Sequence, residues 1–186
     1  AITQKHVIIP VISRTTSEAR LKSGEPMWEW KGDLPTMVGI LPRDGEARDV
    51  RWFKGPSRNT LHFLNATDGE RNTITMELPV SDEERSPSQI KRWTFNLGSK
   101  NDTFGEEVIS RSNGVLARMD DRYLSLPYRY GFLGHNDPER PYDLRQERFE
   151  DGPDFRVLAV VDPSPQIARE GIDHQDRRAR HLQLPG

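Results

Sequence analysis

Apolar residues along this chain recur mostly at every second position, in short runs separated by turn-forming residues, which is the period of β-strands. His6 to Ser13 opens the series as a β-branched, apolar run bounded by a Ser/Thr cluster. Strand-like runs follow at Thr36 to Leu41, Val50 to Lys54, Thr60 to Asn65 and Thr73 to Leu78. In the last of these Ile74, Met76 and Leu78 alternate with Thr75 and Glu77, the pattern of a half-solvated strand. Ile90 to Leu97, Glu106 to Ser110, Val115 to Met119 and Tyr128 to Leu133 continue the pattern. Turn signals stand between the runs: Asp44-Gly45, Asp68-Gly69, Leu97-Gly98-Ser99 and Asn113-Gly114. A short amphipathic stretch at Glu18 to Lys22 predicts one helical turn that Gly24 stops. Many short strands at regular spacing predict an all-β sandwich, barrel or propeller, and the pattern does not choose among them.

The pattern changes after about Asp143. Asp143 to Pro153 is highly charged with little periodicity, Phe155 to Val161 has strand character, and Asp162-Pro163-Ser164-Pro165 ends it. Ala168 to Leu182 is charge-rich and is expected to be a solvated helix or disordered. This divides the chain into residues 1–142 and a divergent charged tail, 143–186.

Composition narrows the function classes. The 186 residues carry 27 Lys+Arg against 29 Asp+Glu and contain no cysteine. Disulfides, thiolate catalysis and cysteine-based metal sites are excluded. The balanced charge, without aromatics interleaved in a basic patch, argues against nucleic-acid binding. No apolar run reaches membrane-spanning length and no signal peptide opens the chain, so a cytoplasmic protein is expected. Asn65-Ala66-Thr67 and Asn101-Asp102-Thr103 fit the glycosylation sequon and are read as chance matches.

One histidine stands out. His62 lies inside the run Thr60 to Asn65, where alternation puts it on the face of Thr60 and Leu64. An inward imidazole needs a partner for its ring nitrogens, and a metal is one such partner. A lone strand histidine is, however, more often a hydrogen-bonded core residue than a ligand. The other histidines receive ordinary readings. His6 is a strand residue without an assigned role, His135 a solvated turn residue, and His174 and His181 lie too far apart on a helix to chelate one ion directly. Asp120-Asp121-Arg122 reads as an ion-pair or turn element, and Glu106 and Glu107 as an exposed strand edge.

The neighbourhood of His62 carries a resemblance. Trp52-Phe53-Lys54-Gly55-Pro56 leading into His62-Phe63-Leu64-Asn65-Ala66 resembles the carotenoid cleavage oxygenases, and among them the bacterial lignostilbene dioxygenases. Ala1-Ile2-Thr3 with Val7 to Pro10, Gly39 to Gly45, Arg92 to Leu97, Arg118 to Tyr123 and Pro127 to Gly131 follow in the family's order. The resemblance covers about residues 1 to 142 and implies part of a seven-bladed β-propeller, about three blades. It implies iron(II) held by four histidines from different blades, and oxidative cleavage of an alkene by dioxygen into two carbonyl products. The substrate would be a stilbenoid, with a carotenoid-type alkene as the other possibility.

Only His62 stands at a position matching one of those ligands. The second would precede Ala1-Ile2-Thr3, the first lies further upstream, and the last lies near the family's C-terminus. One imidazole does not hold iron against water, so the chain is expected to be a fragment that does not bind catalytic iron tightly. A further departure is Val115, which aligns where the family places a glutamate that orients a ligand histidine. The reading from a different class is a non-catalytic β-rich remnant or interaction module without a complete iron site. An opened propeller leaves unpaired strand edges, so self-association is expected.

Overall fold

The computed structural model describes residues 1–84, 86–111, 113–128 and 130–136, with backbone alone for Val115, for His135 and Asn136, and for strands at 141–144, 146–149 and 155–158. The strands are β1 (His6–Val11), β2 (Arg14–Thr15), β3 (Glu29–Trp30), β4 (Thr36–Pro42), β5 (Arg51–Gly55), β6 (Asn65–Asp68), β7 (Thr73–Val80) and β8 (Gln89–Asn96). They continue with β9 (Gly105–Ser110), β10 (Gly114–Met119), β11 (Tyr130–Asn136), β12 (Pro141–Leu144), β13 (Gln146–Phe149) and β14 (Phe155–Leu158). One short helix, α1 (Glu18–Lys22), is capped by the Ser17 hydroxyl, which accepts from Arg20 N at 3.2 Å. Gly24 follows at φ 76°, a left-handed conformation suited to glycine.

Besides the two-stranded β2-β3 ladder, three larger, mainly antiparallel sheets follow one another along the described residues. The first has the order β1-β4-β5, the second is the meander β6-β7-β8-β9, and the third is built on the β10-β11 pair, which β14 joins in parallel. The fold class is all-β, as the strand pattern predicts, and the successive packed sheets are arranged as consecutive propeller blades are. No closed barrel forms among the described residues.

The central meander explains the packing. Along β7, Ile74, Met76, Leu78 and Val80 face one way and are buried, with Trp93 and Phe95 of β8 beside them. They meet Ile8, Val38, Ile40 and Phe53 from the first sheet in one core. Phe104 completes it, its ring 4.7 Å from that of Trp93 and 5.5 Å from that of Phe95. The Lys54-Gly55-Pro56 motif has a physical reason here, because a β-carbon at Gly55 would collide with the Phe104 ring. On the opposite face Ile90 packs with Leu64, Ala117 and Leu133 in a second cluster shared with the third sheet.

Three expectations need correction. First, β7 is not half-solvated: Glu77 is itself buried, at 9% exposure, because sheets cover both faces of the meander. Second, Thr60 to Asn65 is not a strand; residues 60–64 are irregular and β6 begins only at Asn65. That segment runs against Pro79, which has no N–H for a ladder, and the Thr60 hydroxyl donates instead to Pro79 O at 2.8 Å. Third, His135 is not in a turn; its backbone lies in β11, opposite Gly114. In the tail 143–186 the backbone of β13, β14 and the end of β12 is described, β14 falling within the expected strand Phe155 to Val161; the rest, with His174 and His181, lies outside the described residues.

Candidate functional site

His62 enters the meander from one end. Its segment is tied at Thr60, whose hydroxyl reaches Pro79 O, and at Leu64, whose N–H donates to Glu77 O at 2.8 Å. Between these anchors His62 is half-buried, Leu61 is turned out at 62% exposure, and Leu64 is buried. The structure thus preserves the inward side of Thr60 and Leu64 without a strand.

The start of β10 lies at the same end. Ser88, just before β8, donates from Oγ to Gly114 O at 2.6 Å, and its N–H donates to Asn113 Oδ1 at 3.1 Å. Since β8 starts beside the end of β7 that Thr60 contacts, the backbone of Val115 and the His62 segment share one end of the stack. Just after Val115 the β10-β11 register shifts, and Leu116 adopts φ 54° with its side chain exposed. A bulky residue in that conformation marks a bulge, a device that re-aims a strand where a site is built.

Asn65 is buried, at 3% exposure, and reaches across to the loop between β10 and β11. Its Nδ2 donates to Tyr123 O at 3.1 Å and Leu126 O at 3.0 Å, and its Oδ1 accepts from Ser125 N at 3.0 Å. An asparagine so enclosed is no glycosylation acceptor, which agrees with reading its sequon as chance.

Two ionic networks flank the meander. On the face toward the first sheet, Glu106 accepts from Arg58 Nε and Nη2 at 2.8–3.1 Å, from Lys91 Nζ at 3.0 Å and from Trp93 Nε1 at 2.9 Å. Burial by itself raises the Glu106 carboxyl; the bonds from Arg58, Lys91 and Trp93 outweigh it and hold the group below its ordinary value. Glu106 is therefore not part of an exposed edge, whereas Glu107, at 57% side-chain exposure, does face solvent and pairs with Arg92. Lys91 also contacts Asp82 at 2.5 Å, and Asp82 with Trp30, Ser57 and Arg58 lines a shallow polar cleft.

On the other face Arg92 Nε donates to Glu77 Oε1 at 2.8 Å, and the Tyr128 hydroxyl donates to Glu77 Oε2. Burial first, and then the Glu77 charge, push the Tyr128 phenol well above its ordinary value. At the far end of the meander His6 Nδ1 bonds Asp68 Oδ1 at 2.8 Å, and Thr3 Oγ1 donates to the same oxygen at 2.9 Å. Asp120 and Arg122 form a forked pair across a single 3-10 turn, as the turn reading predicts.

Sequence reasoning singled out His62 and Val115 but missed Asn65, the His6–Asp68 pair and the partners of Glu106. Their partners lie 48 to 62 residues away, and no local pattern announces them. Among the described residues no three His, Cys, Asp or Glu side chains come together to hold a metal. His62 offers one imidazole, so the described residues do not by themselves fit a complete iron centre. No described helix is long and apolar enough to cross a membrane.

Successive stacked sheets define an all-β protein. The family described as RPE65, retinal pigment epithelial membrane protein, matches residues 1–169, and the chain belongs to this family, the carotenoid cleavage oxygenases. It is 30% identical over 161 residues to isoeugenol monooxygenase of Pseudomonas putida, covering 78% of this chain and 34% of that one. The crystal structure of Pseudomonas brassicacearum lignostilbene dioxygenase superposes with a TM-score of 0.68 at 35% identity, over 77% of this chain and 33% of that one. Cobalt-substituted Synechocystis ACO aligns with a TM-score of 0.65 at 16% identity, over 78% of this chain and 34% of that one, a likeness of fold alone. The chain spans about a third of the length of the curated relatives it matches.

Proposed function

We propose that this chain is part of a non-haem iron(II) dioxygenase that cleaves an alkene double bond, with His62 as one of the iron ligands. Both oxygen atoms of dioxygen end in the products, one on each carbon of the former double bond, so two carbonyl compounds form and no external reductant is needed. What supports the reading is the place of His62, in a segment that resembles the family's ligand motif and enters the end of a sheet where the next sheet also begins. The remaining ligands come from parts of a longer protein or from another chain. The names of the similar proteins, lignostilbene dioxygenase and isoeugenol monooxygenase, support a phenolic aryl alkene as the substrate class over a carotenoid.

The reading includes a division near residue 142 between a propeller part and a charged tail, although the family match runs on to residue 169. It also includes self-association through open strand edges, for which a concentration-dependent elution volume is the test. The second reading, a β-rich module without iron chemistry, is favoured by Val115, since valine cannot accept the hydrogen bond that a glutamate would take from a ligand histidine.

Iron content after anaerobic ferrous loading and desalting separates the two, with His62→Ala as control. Near-stoichiometric iron that the substitution abolishes supports the oxygenase and justifies assays with stilbenes and oxygen. Iron that is not retained, or retained equally by His62→Ala, removes His62 from the metal site of this chain.

A further inference from the structure

We infer that Asn65 is a positioning residue for His62, acting as a clamp between two neighbouring sheets. Asn65 follows His62 by three residues and closes the irregular segment that carries it. Its buried amide spends both donors and one acceptor position on a single loop, residues 123–126. That loop is itself held in a costly shape: Ser125 is buried with φ 65°, in the left-handed region that a side chain disfavours. The Ser125 hydroxyl continues the tie, donating to Ile2 O at 3.0 Å.

The geometry makes the clamp specific. Two backbone carbonyls and one backbone N–H converge on the side chain, so the group there must donate twice and accept once. Asparagine does this; an ionised aspartate has no donor, and alanine offers nothing. The loop lies between β10 and β11, the pair that also carries Val115 and that packs Ala117 and Leu133 on Leu64. Asn65 therefore supplies the directional bonds that set where the His62 segment stands relative to the third sheet; the Thr60 hydroxyl and the Leu64 N–H bond only within its own sheet, and the Leu64 side chain adds an apolar, non-directional contact. A ligand contributed to a centre shared between sheets needs its position set across the gap as well as along it. The inference rests on the proposed ligand role only for its consequence; the clamp itself is a statement about the metal-free chain.

The test uses the 186-residue chain without metal. Ring 1H–13C resonances of His62, assigned by their loss in His62→Ala, are compared in Asn65→Ala and in Thr67→Val. The control, on the same strand as Asn65, removes a cross-strand hydroxyl pair, Thr67 Oγ1 to Thr75 Oγ1 at 2.9 Å. The expected result is a shifted or split His62 signal in Asn65→Ala, with amide exchange faster by about tenfold in both 61–65 and 123–126, as fits the loss of buried hydrogen bonds. Thr67→Val should do neither. An unchanged His62 signal in a folded Asn65→Ala overturns the proposal.

Should Asn65→Ala not fold, exchange in the parent chain decides. The Leu64 amide, bonded to Glu77 O, and the Ser125 amide, bonded to Asn65 Oδ1, must open together, with one protection factor and one denaturant dependence. Separate openings overturn the clamp. Ferrous loading of His62→Ala tests the ligand role alone, so failure there leaves the positioning result standing, and the converse also holds.

Discussion

The two faces of the β6-β9 meander differ in kind. The face toward β1-β4-β5 is a dry, aromatic core: among the described residues twelve are buried in it, including Phe53, Trp93, Phe95 and Phe104. Phe53 and Phe95 meet edge to face with centroids 5.5 Å apart, a favoured arrangement of aromatic rings. Its half-buried carboxylate Glu106 is saturated by Arg58, Lys91 and Trp93. The face toward β10-β11 has four buried apolar residues among those described, and between them a polar row, Asn65, Glu77, Arg92 and Glu107, paired in register across the sheet. Leu64 belongs to this second face, and so do the anchors of His62. The lesson is a division of labour: one face is built to be rigid, and the candidate chemistry sits against the face that is held by directional bonds.

The largest expected effect is on the first face. Trp93→Ala removes a fully buried indole and one donor to Glu106, and should cost about 3–5 kcal/mol by denaturant unfolding. Glu106→Ala should follow at about 1–3 kcal/mol, because it leaves Lys91, whose side chain is only 4% exposed, and Arg58 with Asp82 as their only remaining carboxylate in contact. Leu133→Ala on the second face should cost about 2 kcal/mol, the low end for a buried leucine, since fewer apolar neighbours surround it. If Leu133→Ala equals Trp93→Ala, the contrast between the faces is wrong.

Titration should separate the faces from opposite directions. Glu106 and Asp68 on the first face are held below their ordinary values of 4.5 and 3.8; for Asp68 burial works against the shift, and the bonds from His6, Thr3 and Lys5 outweigh it. A lowered carboxylate contributes stability that is present above its unfolded value and is lost as pH falls through its folded one. Stability should therefore hold from neutrality down to about pH 5 and decline below about pH 4, a decline that Glu106→Gln makes shallower. Tyr128 on the second face is raised above its ordinary 10.0, so its contribution is intact below that value and is lost as pH rises beyond it. Tyr128→Phe should remove that alkaline component and leave the acid limb unchanged. The smallest effect is expected at the exposed Asp120–Arg122 fork: Arg122→Ala should leave the unfolding midpoint where it is.

Much of the fold was legible because strands announce themselves locally. β1, β4, β5 and β7 to β11 lie where alternation of apolar residues predicts them, and α1 lies over the amphipathic stretch expected to stop at Gly24. The failures have a common cause. Residues 60–64 look like a strand by composition, yet the partner opposite them is Pro79, and a missing N–H in another strand is invisible from inside the segment. Glu106 reads as a solvated edge carboxylate until Arg58, 48 residues earlier, arrives beside it.

By itself the sequence determined the all-β class, the order of the strands and the family, because periodicity and contiguous motifs are properties of short stretches of chain. Only the tertiary structure decided which polar groups are buried and what they hold: that Asp68 waits for His6, that Glu77 takes both Arg92 and Tyr128, and that Asn65 reaches the loop at Ser125. Those pairings depend on one sheet packing against the next, and a buried polar group is stable only when the partner brought by that packing satisfies it.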